Sequence, residues 1–269
     1  MDRKNLFILL AVIIVLVIAL MVYNFTGRDE TKVLRVGATP LPHSEILQFV
    51  KPLMLEEGIE LEIVEFTDYV TPNLALDEGG IDVNFFQHQP YLDSFNQDHN
   101  LSLVTVARIH VEPFGLYSEK IDSIDELSDG AVIAVPNDPT NEGRALLLLE
   151  NKGYIKLDAE NELEATPVDI TENPKNLEFR ELEAAQLPRV LPDVTAAFIN
   201  TNYALEADLN PLEDALIIEG EESPYANILV VKEGNQDNEM IQTLVEVITT
   251  DKVRDFILDE YEGSVVPVF

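Results

Sequence analysis

From residue 32 onward, short runs rich in β-branched and aromatic residues alternate with longer segments whose apolar residues recur at helical spacing. The pattern predicts strands at residues 32–37, 60–66, 83–86, 101–109, 131–135, 196–199, 215–218 and 228–232. It predicts helices at residues 45–57, 142–151, 182–191, 239–250 and 252–261. Alternation of this kind is typical of α/β proteins, in which helices cover both faces of a mainly parallel sheet.

The length of 269 residues suits two such α/β units better than one. The first unit is predicted to span residues 29–113, the second residues 114–225, and residues 226–269 return to the first. Segments 112–117 and 222–226 are the predicted crossings between the units. Two lobes joined in this way would enclose a cleft that closes by hinge motion.

The first 28 residues are of a different kind. Arg3 and Lys4 precede an apolar run at residues 6–23, which is short for a membrane span and long for the core of a cleavable signal. No small-x-small cleavage site stands out near its end, and basic residues before the run favour a cytoplasmic N-terminus. We therefore expect residues 1–28 to be an uncleaved signal anchor that leaves the rest of the chain on the extracytoplasmic face. A cleaved signal peptide is the alternative.

Charge and cysteine content exclude several classes of function. The chain has 17 basic and 50 acidic residues, a net charge of −33, whereas a nucleic-acid binder needs a basic face. This acid excess suggests a habitat of high salt or high pH. The absence of cysteine excludes disulfides, thiol catalysis, iron–sulfur clusters and thiolate zinc sites.

The most informative local motif is the helix start at residues 138–144. Thr140 or Asn141 is expected to cap this helix, and Gly143 to let a ligand approach the backbone. Arg144 would then oppose the helix dipole, which suggests that it captures a carboxylate. On this basis, truncation of Arg144 is expected to leave the stability of the empty protein unchanged or improved. The alternative for Arg144 is a surface ion pair with one of the many acids.

Two further groups are candidates for ligand contact. Phe86, His88 and Tyr91 lie where a predicted strand ends, the usual place for ligands in α/β folds. Their alternative role is ordinary core packing. Asn200 and Asn227 lie at strand ends or crossings, where an amide oxygen can accept from an ammonium group, although capping and turn roles are commoner for asparagine.

Motifs for catalysis and for cofactors are missing. The chain has no G-x-S-x-G, H-E-x-x-H, G-x-x-x-x-G-K or G-x-G-x-x-G segment. Its four histidines all lie in the first unit, but none of them is spaced along the chain like metal ligands. We therefore expect no catalytic residues, no cofactor and no metal site.

Several segments, in order along the chain, resemble the methionine-binding lipoproteins, the NlpA-type family of solute receptors for ABC importers. The matching segments are residues 34–40, 42–43, 45–47, 86–92, 136–145, 182–189, 199–204 and 222–227. The resemblance implies a two-lobed fold like that of periplasmic binding proteins, with an N-terminal membrane-anchoring helix in this chain. It also implies a receptor that holds methionine between its lobes and delivers it to a membrane permease.

By this similarity, Arg144 would pair with the ligand carboxylate, while Asn200 and Asn227 would hold its amino and carboxylate groups. The same similarity implies that the side-chain pocket is lined by Phe86, His88 and Tyr91, with His43 near the rim. The chain departs from the family in lacking the cysteine that usually carries a lipid, so helix 6–23 would replace the acyl chains as the anchor. Leu41 stands where the family often has glycine.

The resulting expectation is an extracytoplasmic L-methionine receptor without chemistry of its own, whose partners are the permease and the membrane. A receptor for a methionyl dipeptide or another apolar amino acid is the nearest alternative. A metal-ion receptor and an exported enzyme are the remaining alternatives.

Overall fold

The computed structural model describes residues 32–158, 162–220 and 225–269. The predicted anchor and residues 222–224 of the second predicted crossing lie outside these ranges. Within the described ranges, no helix has both the length and the apolar character that a membrane span requires.

The described residues form strands and helices in alternation. The strands are β1 (Lys32–Ala38), β2 (Ile59–Glu65), β3 (Val83–His88), β4 (Leu103–Val111), β5 (Gly115–Tyr117), β6 (Val132–Pro136), β7 (Lys156–Leu157), β8 (Ile170–Glu172), β9 (Glu178–Leu182), β10 (Ala196–Ile199), β11 (Ile217–Ile218), β12 (Ala226–Lys232) and β13 (Val266–Pro267). The α-helices are α1 (Glu45–Glu56), α2 (Thr71–Asp77), α3 (Gln89–His99), α4 (Pro139–Asn151), α5 (Leu187–Val190), α6 (Thr201–Glu206), α7 (Glu239–Ile248) and α8 (Asp251–Tyr261).

The first lobe is built on a six-stranded sheet in the order β13-β4-β12-β3-β1-β2. Strands β1, β2 and β3 are parallel, and β12 runs antiparallel between β3 and β4. Strand β12 has an uninterrupted apolar run because both of its faces are covered. Leu229 and Val231 pack in the cluster that contains residues of α1, α7 and α8, whereas Ile228 and Val230 pack with residues of α2 and α3.

The second lobe is built on a five-stranded sheet in the order β11-β5-β10-β6-β9. Strands β10, β6 and β9 are parallel, while β5 is antiparallel to its two neighbours. Helix α4 packs Leu146 and Leu149 into a core that also holds Phe114 and Phe198. The molecule is thus a two-lobed α/β fold in which the parallel strands of each sheet are covered by helices.

The local sequence pattern and the structure disagree in several places, and the short elements α2, α6, β7, β8, β9 and β13 were not predicted. The predicted helix over residues 182–191 is wrong, because β9 ends at Leu182 and only α5 and a short 3₁₀ turn follow. The predicted crossing at residues 112–117 contains β5, which pairs with β10 and β11. Helix α3 was not predicted, because its sequence is largely polar and only Tyr91, Leu92 and Phe95 are buried.

Candidate functional site

A cavity lies between the two lobes, close to the point where the chain passes from β4 to β5. Its volume is about 360 Å³, including its opening to solvent. The lining residues are Tyr69, Phe86, Gln87, His88, Tyr91, Glu112, Asn141, Arg144, Asn200, Thr201, Asn202 and Asn227. The structure therefore brings together every residue that the sequence nominated for the site except His43.

Arg144 is held by a buried ion pair. Its Nε and Nη2 atoms donate to the carboxylate of Glu219 at 2.6 and 2.5 Å, and Nη2 also donates to the backbone oxygen of Glu112 at 2.9 Å. The guanidinium carbon lies 4.9 Å from the ring centre of Phe114 and 4.3 Å from that of Tyr225. These contacts fix the plane of the guanidinium at the cavity wall, where Arg144 is only 4% exposed.

The position of Arg144 corrects two sequence-based expectations. Helix α4 begins at Pro139 and is capped by Asp138, not by Thr140 or Asn141. Arg144 therefore lies in the second turn, beyond the part of the helix where the dipole acts strongly. The expectation that its removal would not destabilise the empty protein loses its basis, because Glu219 would be left without its partner.

Asp138 sets the orientation of a chain of amides. Its carboxylate accepts from the backbone N of Asn141 at 3.0 Å and from Nδ2 at 2.9 and 3.1 Å, so Oδ1 of Asn141 points the other way. That oxygen lies 3.0 Å from Nδ2 of Asn200 and 3.3 Å from Nε2 of His88. The remaining atom, Oδ1 of Asn200, is buried without a hydrogen-bond partner among the described residues. An acceptor oriented in this way suits a ligand that brings a donor.

The same chain determines the protonation of His88. Nδ1 of His88 accepts from the backbone N of Tyr91 at 3.2 Å, so Nε2 carries the proton that Asn141 accepts. Burial, and then the nearby cation of Arg144, lower the pKa of His88 to about 3. His88 is therefore a neutral donor at pH 7.

Glu112 is the centre of a second buried network. Its Oε1 lies 2.8 Å from Nε2 of His110, 3.2 Å from Nε2 of His43 and 3.2 Å from Nδ2 of Asn227. Its Oε2 accepts from the backbone N of Asn202 at 3.1 Å, across the cleft. Burial lowers the pKa of His43 to about 4 and that of His110 to about 3, so both imidazoles are neutral at pH 7.

His43 does not lie at the rim of the cavity, contrary to the family-based expectation. It is 1% exposed, is absent from the cavity wall and contacts Asn227, whose Oδ1 lies 3.2 Å from Nε2 of His43. Nδ1 of His43 is 2.8 Å from the hydroxyl of Thr39, so both ring nitrogens have partners. His43 therefore lies behind the cavity wall and contacts two of its residues, Asn227 and Glu112.

His43, His110 and Glu112 also form a group with metal-ligand chemistry. One ligand atom from each lies within 4.8 Å of the others, an arrangement that chain spacing did not predict. Two imidazoles and a carboxylate suit a transition-metal ion. In this structure the carboxylate accepts three hydrogen bonds, from His110, Asn227 and the backbone N of Asn202, which an ion would have to displace.

Aromatic side chains form the apolar part of the cavity wall. The ring centres of Tyr69, Phe86 and Tyr91 lie 5.9–6.0 Å from one another. The hydroxyl of Tyr91 donates to the backbone oxygen of Tyr69 at 2.8 Å, which fixes the two rings together. Tyr69 was not predicted, because it lies in the loop after β2 and belongs to no motif of its own.

Gly143 has a packing role that the sequence did not indicate. A Cβ atom at this position would lie 2.6 Å from the backbone oxygen of Leu163 and 3.0 Å from the backbone N of Ala165. The glycine therefore permits close packing of α4 against residues 163–165.

Glu142 provides a test of pH-dependent stability. Its pKa is raised from 4.5 to about 8, mainly by burial and then by the nearby carboxylates of Glu181, Asp138 and Asp169. Between these two pH values the folded protein binds the extra proton, so folding becomes less favourable as the pH rises through this window. We expect Glu142→Gln to raise the melting temperature increasingly from pH 4.5 to about 8, and by a constant amount above it. Melting curves at several pH values would check this.

Glu246→Gln, which removes an exposed carboxylate from α7, is the matched control for the change in net charge. A gain for Glu142→Gln that does not grow with pH would contradict the prediction.

Comparison with known proteins is consistent with this architecture. The family model for the NlpA lipoprotein matches residues 34–269. A probable D-methionine-binding lipoprotein MetQ from Vibrio cholerae is 46% identical over 239 residues, which cover 88% of each chain. A nutrient-binding protein from Burkholderia cenocepacia, solved bound to methionine, is 47% identical with a TM-score of 0.85 and covers 88% of this chain and 100% of its own.

A periplasmic substrate-binding protein of an ABC transporter from Coxiella burnetii is 42% identical with a TM-score of 0.84. The alignment covers 87% of the present chain and 100% of the Coxiella chain. A family model that matches nearly the whole described chain, together with relatives of this identity and coverage, leads to one conclusion: the chain belongs to the NlpA lipoprotein family.

Proposed function

We propose that this protein is a solute receptor that binds methionine as the free amino acid in the cavity between its lobes. The observation that carries the proposal is that Oδ1 of Asn200 is a buried acceptor without a hydrogen-bond partner among the described residues. Asn200 lines the same cavity as Arg144. The only strong donor of methionine is its ammonium group and its only strong acceptor is its carboxylate, so this pair of groups complements both.

The rest of the cavity suits the side chain of methionine. Tyr69, Phe86 and Tyr91 offer ring faces and edges, with which a polarizable thioether makes favourable contacts. His88 is neutral and its proton is directed to Asn141, so it adds no charge to this wall. These features support the assignments of Phe86, His88 and Tyr91 to the side-chain pocket.

The proposal includes delivery to a membrane permease of an ABC importer, since a relative of this fold is named a substrate-binding protein of such a transporter. We also propose that residues 1–28 anchor the receptor on the extracytoplasmic face, with lobes formed by residues 29–113 and 226–269 and by residues 114–225. The absence of cysteine supports an anchor made of peptide, because no thiol is available for a lipid. The receptor is proposed to carry out no reaction of its own.

A methionyl dipeptide is the second candidate ligand, because the inner cavity adjoins a larger outer one. The outer cavity measures about 850 Å³ with its opening and shares Tyr69 and Tyr91 with the inner cavity. Its polar wall includes Asp68 and Glu183, which suit a second positive or hydrogen-bonding group.

Native mass spectrometry and calorimetric titration test the proposal together. We expect an adduct with the mass of methionine, and binding that is roughly 10- to 100-fold weaker for N-acetylmethionine and for methioninamide. Each derivative lacks one charged group, and a buried hydrogen bond to a charged group contributes about 1.5–3 kcal/mol. Titration with both enantiomers distinguishes L-methionine, which we expect, from the D-methionine named for several relatives.

Other outcomes of these measurements would favour a different ligand or contradict the proposal. A metal adduct that competes with methionine would support a metal-ion receptor built on His43, His110 and Glu112. Tighter binding of a methionyl dipeptide than of methionine would favour the second candidate. Equal affinity for methionine and both derivatives would contradict recognition of a zwitterion.

A further inference from the structure

Both lobes of the receptor carry a large negative charge. Residues 29–113 and 226–269, which we assign to the first lobe, include 24 acidic and 7 basic residues, a formal net charge of −17. Residues 114–225, which we assign to the second lobe, include 25 acidic and 7 basic residues, a formal net charge of −18. Because like charges repel, a motion that brings the lobes together works against this repulsion.

Carboxylates from both lobes line the outer cavity, which adjoins the inner one. Asp68 belongs to the first lobe, and Asp138 and Glu183 belong to the second. None of the described residues that line this cavity is a lysine, an arginine or a histidine. Since the cavity opens to solvent, mobile ions can enter it and screen the carboxylates from one another.

A hydrogen bond between neutral groups joins the lobes at the same place. The hydroxyl of Tyr203, on α6 of the second lobe, donates to the backbone oxygen of Thr67 in the first lobe at 3.2 Å. Burial raises the pKa of Tyr203, and the carboxylates of Glu206 and Asp68, one from each lobe, raise it further. Contact between the lobes here therefore brings like charges together without an ion pair between them to offset the repulsion.

We propose that ionic strength controls closure of the lobes, and thereby the affinity for the solute, through their like charges and above all the carboxylates that line the outer cavity. At low salt, repulsion between the lobes favours the open state. Added ions screen this repulsion and allow the lobes to close. The inference rests on the proposed function, since the affinity in question is that for methionine.

The solute itself contributes little to this salt dependence. Methionine is a zwitterion without net charge at pH 7, so screening changes its attraction to an acidic receptor only slightly. Its proposed contacts with Arg144 and Asn200 lie in a buried cavity, where salt screens charges much less than at the surface. A rise in affinity with salt would therefore report on the lobes.

Calorimetric titration of methionine into the full chain at increasing concentrations of sodium chloride tests the inference. We expect the affinity to rise at least about fivefold, mostly between about 0.01 and 0.15 M, where the Debye length falls from about 30 to about 8 Å. Tetramethylammonium chloride should have the same effect at equal ionic strength, because screening depends on the charge of the ions and not on their identity.

Two glutamates at opposite ends of β9 provide matched variants. Glu183 follows β9 and lines the outer cavity, whereas Glu178 begins the strand, and both are exposed. Asp68→Asn/Glu183→Gln should bind methionine about two- to fourfold more tightly than the unchanged protein at about 0.01 M salt and equally at about 1 M. Asparagine at position 68 can still cap α2, as Asp68 does. Glu178→Gln/Glu246→Gln, which also removes one charge from each lobe, should change the affinity less than about 1.5-fold.

A second measurement needs no solute. Because the chain has no cysteine, spin labels can be attached at Leu74→Cys on α2 and at Gln186→Cys in the turn after β9, where both residues are exposed. We expect the distance between the labels in the ligand-free protein to shorten as salt is added. With Asp68→Asn/Glu183→Gln, the shorter distance should already be populated at low salt.

Three results would overturn the inference. The first is an affinity that does not rise below about 0.15 M, since a rise confined to higher salt reflects strengthened apolar burial. The second is an equal gain for the two double variants. The third is an effect of sodium that tetramethylammonium does not reproduce, which would indicate a bound cation. Failure to bind methionine at any salt concentration would count against the proposed function, whereas the label distances would still test closure.

Discussion

Replacing Arg144 with alanine is expected to weaken methionine binding roughly 30- to 4,000-fold. Removal of one member of a buried charge pair costs about 2–5 kcal/mol, and the solute carboxylate would lose the guanidinium that faces it. Arg144→Lys keeps the charge but loses the planar fork that holds both oxygens of Glu219, so most of the loss should remain. Calorimetric titration with methionine measures both variants.

The ligand-free Arg144→Ala protein is also expected to be less stable by roughly 3 kcal/mol. Loss of the Arg144 guanidinium leaves the carboxylate of Glu219, whose side chain is 12% exposed, without its partner. The double variant Arg144→Ala/Glu219→Gln removes this unpaired charge, so it should recover most of the melting temperature while methionine binding stays weak. Recovery of binding together with stability would show that Arg144 serves the fold and not the solute.

Replacing Glu112 with glutamine is expected to have the second largest effect, and to act on folding and binding alike. The carboxylate accepts from His110, Asn227 and the backbone N of Asn202, and its Oε1 lies 3.2 Å from Nε2 of His43. The amide oxygen of a glutamine can accept hydrogen bonds on only one side of this network. Its NH₂ group would point at the donors on the other side. At least one buried donor would be left unpaired, which costs about 1–3 kcal/mol, and the negative charge would be lost. We therefore expect the free energy of unfolding to fall by about 3 kcal/mol.

The affinity of Glu112→Gln for methionine should fall at least tenfold, because Asn227 and Asn202 lose the group that holds them beside the cavity. Melting curves and titration of the same preparations measure the two effects. Glu65→Gln is the matched control, since Glu65 is an exposed carboxylate of the first lobe that accepts one bond from Ser44. Unchanged affinity in a folded Glu112→Gln protein would contradict the role of this network in binding.

Much of the fold could be predicted from local pattern. Strand β1 and helix α1 carry apolar residues at the spacing that each element buries, so their bounds agree with prediction to within a residue. Helix α3 could not be predicted from local pattern. Its sequence is polar at most positions, and it is stabilised by packing of three residues against the sheet, which no local period reveals.

The sequence also determined which residue types were available to a ligand. Its motifs alone made Arg144, Asn200 and Asn227 candidates for ligand contact, with a surface ion pair as the alternative for Arg144 and capping or turn roles as the alternative for the asparagines. The roles of individual atoms could not be predicted in the same way. The family resemblance places His43 at the rim, yet this residue is enclosed behind the cavity wall. Asn202 was not nominated for the site, although it lines the cavity and lies in the same family-like segment as Asn200.

Tertiary structure decided these roles because a hydrogen-bonding group is available to a solute only when no protein group satisfies it. Arg144 meets Glu219 75 residues further along the chain, and Asn200 is oriented by Asn141, 59 residues before it. Tyr69 holds Asn202 across 133 residues. Sequence alone determined the alternating α/β pattern and the supply of polar groups, because both depend on near neighbours. The folded chain alone decided which donors and acceptors stay free, because their partners come from distant segments.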